Sequence, residues 1–250
     1  MNSGMLVRMT IERIAVPSGA MLVDRSRFGR KATEQAKTEI FDPDYWQQQK
    51  KVVARSSAGR GGVLFIRDDQ VYWALRHYQR GGWISKISHD SYWWRGEDKT
   101  RSFSEWRILH TLRTQGLPVP TPVAARYSRS GFTYRCDLIT EALPAVRTLA
   151  DSIVGARLID TTWQKIGATI AKFHRAGVHH ADLNAHNILL GESAAVWLLD
   201  FDRGQIRQRG AWESKVLARL HRSLEKIRAT QPNAQFNARN WQELMVGYGG

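Results

Sequence analysis

The sequence predicts an α+β fold of two lobes, in which a small antiparallel sheet with one main helix is followed by a mainly helical half. Three observations support this prediction. Apolar residues alternate over residues 63–78, they recur at helical spacing behind Ser102, and they recur at helical spacing again from Trp163 to Phe173. With 250 residues, the chain can bury a large core as one two-lobed domain or as two small ones.

The first lobe is expected over residues 58–143, after an N-terminal extension over residues 1–57 that packs on it. Its elements follow in the order glycine-rich turn, hairpin, helix and two strands. The expected bounds are 63–66 and 71–78 for the hairpin, 102–114 for the helix, and 123–127 and 132–141 for the strands. The single cysteine, Cys136, falls in the last of these strands and cannot form an internal disulfide.

The second lobe is expected over residues 144–250, with a hinge near residues 143–145. One face of its main helix is apolar, and this face consists of Trp163, Ile166, Ile170 and Phe173. Two short strands are expected at 188–190 and 196–199, and two closing helices near 212–228 and 238–246. The half is therefore mainly helical.

The chain carries a net charge of +14, from 37 Lys and Arg against 23 Asp and Glu. Such an excess implies an anionic partner, which could be nucleic acid, an anionic membrane surface or a phosphorylated substrate. The longest apolar stretches are far shorter than the roughly 20 residues that cross a bilayer, and the N-terminus lacks the apolar core of a secretory signal. We therefore expect a cytoplasmic protein without a transmembrane helix.

Three polar side chains with a fixed spacing follow the main helix of the second lobe. Asp182 lies in the loop after the helix, Asn187 comes five residues later, and Asp200 ends a short apolar run. Kinases hold magnesium and a hydroxyl around a triphosphate with this set of residues. Asp182 is the candidate base or hydroxyl-orienting group, and Asn187 and Asp200 are the candidate magnesium ligands, since Mg²⁺ prefers oxygen donors. Each residue alone could simply cap a turn or begin a strand, but their joint spacing favours phosphoryl transfer.

A glycine-rich turn before the hairpin is a candidate for holding the phosphates of a nucleotide. Gly59, Gly61 and Gly62 could expose backbone N–H groups to phosphate oxygens. A plain surface turn has the same composition, so the motif is weak by itself. Its position just before the hairpin favours the phosphate-binding interpretation.

A cation is expected to reach the phosphates from the second hairpin strand. Arg76 stands where the kinase pattern Val-Ala-Ile-Lys places its lysine, and Lys86 is the competing choice. Glu105, inside the predicted helix, is the carboxylate expected to orient either cation, and a solvated helix residue is the alternative interpretation. Near Asp182, His180 is expected to brace the loop rather than to bind zinc, since cysteine partners are absent.

Five segments together carry a family resemblance, and they are residues 75–82, 100–106, 116–120, 180–187 and 199–204. They closely resemble the lipopolysaccharide kinases of Gram-negative bacteria, specifically the 3-deoxy-D-manno-octulosonic acid (Kdo) kinases, which belong to the protein-kinase-like superfamily. The resemblance runs from about Phe41 to the C-terminus. Departures from the wider kinase pattern are Arg76 for lysine, Ala181 for the arginine of His-Arg-Asp, and Asp202 for the glycine of Asp-Phe-Gly.

The resemblance implies a bilobal protein-kinase-like fold and phosphorylation of the 4-hydroxyl of Kdo on a Kdo-lipid A precursor, with ATP and Mg²⁺ as cofactors. It implies that the protein works peripherally at the cytoplasmic face of the bacterial inner membrane, in lipopolysaccharide core synthesis. It carries the catalytic aspartate over to Asp182 and the metal ligands to Asn187 and Asp200.

Other functions stay open at this point. The acceptor could be another core sugar, such as heptose, or a protein substrate of a small atypical protein kinase. A nucleotide-binding scaffold or a basic nucleic-acid binder would also account for the positive charge. The complete set of Asp182, Asn187 and Asp200, and the lack of a recognisable nucleic-acid module, favour the enzyme. We therefore expect no nucleic acid and infer no obligate protein partner.

Overall fold

The computed structural model describes residues 11–28, 36–56, 62–79 and 90–250. The chain divides into two compact units. The first unit runs to Arg107 and also takes Thr121–Ala142, and the second takes Ile108–Pro120 and Leu143–Gly250. An antiparallel sheet dominates the first unit and helices dominate the second, so the predicted α+β class is confirmed.

The strands in the described ranges are β1 Ile11–Val16, β2 Gly19–Asp24, β3 Val52–Ser56, β4 Val63–Asp68, β5 Val71–His77, β6 Tyr92–Trp93, β7 Pro122–Ser130, β8 Thr133–Glu141, β9 Arg147–Thr148, β10 Val178–His179, β11 Ile188–Leu190, β12 Val196–Leu198 and β13 Gln205–Ile206. The helices are α1 Arg25–Phe28, α2 Ala36–Glu39, α3 Pro43–Gln48, α4 Arg101–Thr114, α5 Leu149–Gly155, α6 Asp160–Arg175, α7 Trp212–Thr230 and α8 Ala238–Gly249. Single 3₁₀ turns lie at Glu97–Lys99, Ala185–Asn187 and Glu192–Ala194.

The sheet of the first unit has eight strands within the described residues, in the order β1-β2-β7-β8-β5-β4-β3, with β6 paired to another part of β8. The predicted hairpin is β4 and β5, which meet at Asp68 and Val71. Its alternating apolar residues face a core that includes Ile66, Trp73 and Trp46. The alternation of apolar residues therefore predicted both the strands and the face that they bury.

The described part of residues 1–57 supplies strands to this sheet and does not only pack against it. β2 pairs with β7 from Gly19 to Val23, and β3 pairs with β4. Nearly every residue of β2 is buried, so its sequence shows none of the alternation that marks a strand with one solvent face. The structure therefore places two strands, β1 and β2, where the sequence analysis predicted no regular element.

The second unit is built on close contact between α6 and α8. A Cβ added to Gly167 would meet the carbonyl oxygen of Leu244 at 1.9 Å, and one added to Gly247 would meet that of Gln164 at 1.9 Å. Only glycine leaves room for two helix backbones to approach so closely. The apolar face predicted for α6 is buried as expected. In the described part of the chain, none of the helices combines the length and apolar character needed to cross a bilayer.

Candidate active site

Asp182 lies in the loop between β10 and the 3₁₀ turn Ala185–Asn187, and two amides fix its backbone. Nδ2 of Asn184 and Nδ2 of Asn187 donate to the carbonyl oxygen of Asp182, at 3.0 Å and 2.9 Å. Oδ1 of Asn184 also accepts the N–H of His186 at 2.9 Å and so caps the turn. The main chain of Asp182 is therefore held in place while its carboxylate stays exposed to solvent.

His180 is buried and connects Asp182 to the segment that carries Asp200. Its Nε2 lies 2.7 Å from the carbonyl oxygen of Leu199, and its Nδ1 accepts the N–H of Asp182 at 3.2 Å. A carbonyl only accepts and an N–H only donates, so the imidazole is neutral and carries its proton on Nε2. Burial lowers the pKa of His180, which favours the same neutral form. His180 thus braces the loop, as predicted.

Asn187 and Asp200 come together at one end of the β11–β12 hairpin. The N–H of Leu199 donates to the carbonyl oxygen of Asn187 at 2.9 Å, which extends the pairing of Ile188 with Leu198 by one step. The side-chain amide of Asn187 uses its nitrogen on Asp182, so its oxygen points away from that carbonyl. Asp200 has a φ of 61°, a left-handed conformation that is uncommon outside glycine. The chain thus turns sharply at the residue expected to bind metal.

The side chains at this end of the hairpin fit magnesium. Mg²⁺ takes oxygen ligands and commonly uses one or two protein groups together with water and substrate phosphates. Asn187 offers an amide oxygen and Asp200 a carboxylate, and both lie on segments that hydrogen bonds hold. Within the described residues, no group of three or more His, Cys, Asp or Glu side chains is placed to hold a metal ion. Asn187 and Asp200 therefore offer two oxygen ligands of the kind that Mg²⁺ takes.

Sequence reasoning missed two residues of α7 that contact the loop. Nη1 of Arg219 binds Oδ1 of Asp182, and Oγ of Ser223 accepts the N–H of Ala185 at 3.2 Å. Residues four apart share one face of a helix, so this face of α7 contacts both ends of the segment from Asp182 to Ala185. One feature of the sequence could have pointed to them. These two polar residues flank the buried stripe of an amphipathic helix, at Leu220 and Leu224.

In the first unit, Arg76 of β5 forms an ion pair with Glu105 of α4. The Glu105 carboxylate is only 2% exposed, so the alternative interpretation of Glu105 as a solvated helix residue is wrong. Its Oε2 also accepts a hydrogen bond from the hydroxyl of Tyr78 at 2.5 Å. Burial raises the pKa of Tyr78 well above its usual value, so its hydroxyl stays protonated and donates. The Arg76 guanidinium also lies 4.6 Å from the Tyr78 ring centre. Glu105 thus holds a cation in place, while the contact of Arg76 with phosphate stays a prediction.

The remaining candidates for phosphate binding are only partly covered. Gly59, Gly61 and Lys86 lie outside the described residues. Gly62 comes just before β4 and has a φ of 61°, a conformation that suits glycine. A Cβ at this position would also approach the carbonyl oxygen of Ser56 at 3.2 Å. The turn therefore needs glycine here for its backbone, whatever ligand it meets.

Comparison with known proteins gives the family. The model of the Lipopolysaccharide kinase (Kdo/WaaP) family matches residues 43–248. The 3-deoxy-D-manno-octulosonic acid kinase of Stenotrophomonas maltophilia is 47% identical over 212 residues, which cover 84% of this chain and 82% of that protein. The enzyme of the same description from Photobacterium profundum is 44% identical over 208 residues, which cover 83% of this chain and 87% of that protein.

Among solved structures, the Cydia pomonella granulovirus kinase PK-1 is similar over 70% of this chain and 58% of its own, with a TM-score of 0.42 and 13% identity. The family match includes all the site residues that the structure describes, from Gly62 to Arg219. The chain belongs to the lipopolysaccharide kinase (Kdo/WaaP) family.

Proposed function

We propose that the protein transfers the γ-phosphate of ATP to the 4-hydroxyl of a Kdo residue on a lipid A precursor, in a reaction that uses Mg²⁺. Its family makes it an ATP-dependent phosphotransferase of lipopolysaccharide biosynthesis. The observation that carries the proposal is the joint placement of Asp182, Asn187 and Asp200 around the His180 brace. The identity of the acceptor is inferred from two relatives, both of which are named 3-deoxy-D-manno-octulosonic acid kinase.

Asp182 is the residue that meets the acceptor. Oδ1 faces Arg219, and among the described residues the structure gives Oδ2 no hydrogen-bond partner. Oδ2 is therefore suited to accept a hydrogen bond from the sugar hydroxyl and to take its proton. The hydroxyl oxygen then bonds to the γ-phosphorus while the bond from that phosphorus to the leaving ADP oxygen breaks.

Residues of each unit are candidates for support of the phosphates. Asn187 and Asp200 would hold Mg²⁺, which when bound offsets the charge of the triphosphate. Arg76, held by Glu105, is the described candidate for a cation on the ATP phosphates.

The acceptor also sets where the protein works. A lipid A precursor is an anionic glycolipid in the inner membrane, and a protein with a net charge of +14 is attracted to such a surface. We infer peripheral binding at the cytoplasmic face. Flotation with vesicles of anionic and of neutral phospholipids tests this, and equal binding to both would contradict an electrostatic association.

A phosphorylation assay with mass-spectrometric readout tests the reaction. The acceptors are a lipid A precursor with one Kdo residue, the same lipid without Kdo, and a heptose-bearing core acceptor. We expect one phosphate on the first lipid alone, located at the 4-position by fragmentation or NMR. Phosphate on heptose or on a protein would point instead to the alternative acceptors.

Asp182→Asn should lower kcat by about 10²–10⁴-fold, as expected for the loss of a catalytic base. Asp160→Asn is the matched control, because Asp160 is another partly exposed aspartate of the second unit that pairs with an arginine, Arg239. Its activity should stay within about twofold of the wild type, because a surface ion pair contributes little. Full activity in Asp182→Asn would remove Asp182 from the reaction.

A further inference from the structure

Arg219 contacts Asp182 but takes no part in the proposed transfer of phosphate. It reaches from α7 to Oδ1 of Asp182, and among the described residues this carboxylate is the one hydrogen-bond partner that the structure gives it. The guanidinium carries five N–H donors in a planar fork. With a side chain that is 49% exposed, Arg219 therefore has donors that face solvent beside the carboxylate expected to bind the acceptor.

The Asp182 loop does not depend on this ion pair. Its backbone is held by the two asparagine amides, by Nδ1 of His180 and by Oγ of Ser223. An ion pair between two half-exposed side chains adds little to stability, because water competes for both partners. Arg219 can therefore exchange part of its contact with Asp182 for another anion at small cost. This favours a role toward a ligand over a role in folding.

The position of Arg219 sets which part of the acceptor it can reach. If Asp182 binds the acceptor hydroxyl, the guanidinium on the same carboxylate lies about 5 Å from the hydroxyl oxygen, the span of two hydrogen bonds around one carboxylate. In a Kdo residue, the carboxylate sits on C2 and the 4-hydroxyl on C4, with one methylene between them. These groups are also a few bond lengths apart, about 4–6 Å. An arginine fork matches a carboxylate better than it matches any neutral group of the sugar.

We propose that Arg219 binds the carboxylate of the sugar-acid acceptor and thereby places the neighbouring hydroxyl against Asp182. The inference rests on the proposed function and adds to it the residue that distinguishes an acidic sugar from a neutral one. Before the acceptor arrives, Nη1 of Arg219 contacts Asp182 and the other donors of the guanidinium stay available. In the complex, the guanidinium lies between the two carboxylates and binds both.

Paired acceptors and paired variants test this. The acceptors are the Kdo-bearing lipid A precursor and its methyl ester, in which the sugar carboxylate is neutral. The variants of the full chain are Arg219→Gln, Arg219→Lys and, as a control, Arg228→Gln. Arg228 lies nine residues further along the same helix, about 14 Å away, and pairs with Glu225. The KM for ATP and the melting temperature report whether each variant keeps its nucleotide site and its fold.

We expect esterification to lower kcat/KM of the wild type by about 10–100-fold, the usual worth of a charge-assisted contact. Arg219→Gln should lose a similar factor on the acid and less than about threefold on the ester, and Arg219→Lys should recover part of the loss on the acid. Arg228→Gln should match the wild type on both acceptors.

Two other results have different meanings. An equal loss on acid and ester in Arg219→Gln would overturn carboxylate binding and leave Arg219 as a residue that only positions Asp182, with the proposed function intact. Transfer to neither acceptor by the wild type, with transfer to a heptose or a protein, would contradict the proposed function and this inference together.

Discussion

His180 and Leu199 are joined by a hydrogen bond of 2.7 Å between the imidazole Nε2 and the carbonyl oxygen just before Asp200. Through Nδ1 the same ring accepts the N–H of Asp182. One neutral histidine therefore sets the spacing between the backbone of the candidate catalytic residue and that of a candidate metal ligand. An apolar ring of similar size would fill the space but would break both hydrogen bonds.

His180→Phe should therefore lower both stability and activity. It leaves the carbonyl of Leu199 and the N–H of Asp182 without their partner, at a cost of about 1 kcal/mol for each, since both hydrogen bonds are only partly buried. We expect kcat to fall by about 10–100-fold, since a small displacement of catalytic groups is costly. Thermal unfolding and steady-state kinetics measure the two effects. A lower melting temperature with unchanged kcat would show that His180 serves the fold alone.

Glu105→Gln should raise the KM for ATP by about 10-fold, because it removes the charge that holds Arg76 in place. Tyr78→Phe is the matched control. It removes the hydroxyl, which donates to Glu105 and accepts from Arg76, but keeps the ion pair and the ring under the guanidinium, so the KM should change by less than about twofold. If Glu105→Gln leaves the KM unchanged, the pair is structural, and Lys86 becomes the preferred phosphate contact.

Gly247→Ala should destabilise the protein by about 1–3 kcal/mol, because the new methyl group would collide with the Gln164 carbonyl and push α6 and α8 apart. Gly249→Ala in the same helix is the control, since a Cβ there meets nothing within 4 Å. It should leave the melting temperature unchanged or raise it slightly, because alanine favours the helix. Equal effects of the two substitutions would mean that the helices adjust at no cost.

The stability of the protein should fall below neutral pH in part through His174. Burial lowers the pKa of this histidine to about 4, and its Nδ1 lies 2.7 Å from the Tyr248 hydroxyl. In the unfolded chain the ring titrates near its ordinary pKa of about 6.5. Between these values the unfolded state binds a proton that the folded state does not, so stability is lost as the pH falls.

His174→Gln removes this titration. Between about pH 6 and pH 4, the free energy of unfolding of the wild type should fall faster than that of His174→Gln by about 1 kcal/mol per pH unit, below the limit of about 1.4 kcal/mol for a full proton. Urea unfolding at a series of pH values measures both slopes, and titrations common to the two proteins cancel in the difference. Parallel slopes would contradict a depressed pKa for His174.

Local patterns were enough to predict most of the regular elements. The hairpin, α4 and α6 have one buried face each, so their periodicity shows in the sequence, and α4 begins within one residue of the predicted start at Ser102. β2 is buried along nearly its whole length and shows no such period. Strands of this kind are set by their neighbours in the sheet, which a local pattern does not contain.

The same limit applies to the site. Asp182 and Asn187 are five residues apart, and the turn that joins them brings their groups together, as the amide contact at 2.9 Å shows. Asp200 joins them because a short hairpin returns the chain. Arg219 comes from a helix 37 residues beyond Asp182, and only the packing of that helix against the loop makes the contact. No spacing rule links such a pair.

The strands β1 and β2 lie outside the residues that the family model matches, which begin at residue 43. A protein shortened to the matched region would lose β2, one of the two partners of β7, and leave β7 with its buried apolar residues, such as Val123 and Ala125, at an open sheet edge. Open edges of this kind pair with other chains and promote aggregation. Solubility after expression from residue 11 rather than from residue 43 would thus report on two strands that the matched family model does not include.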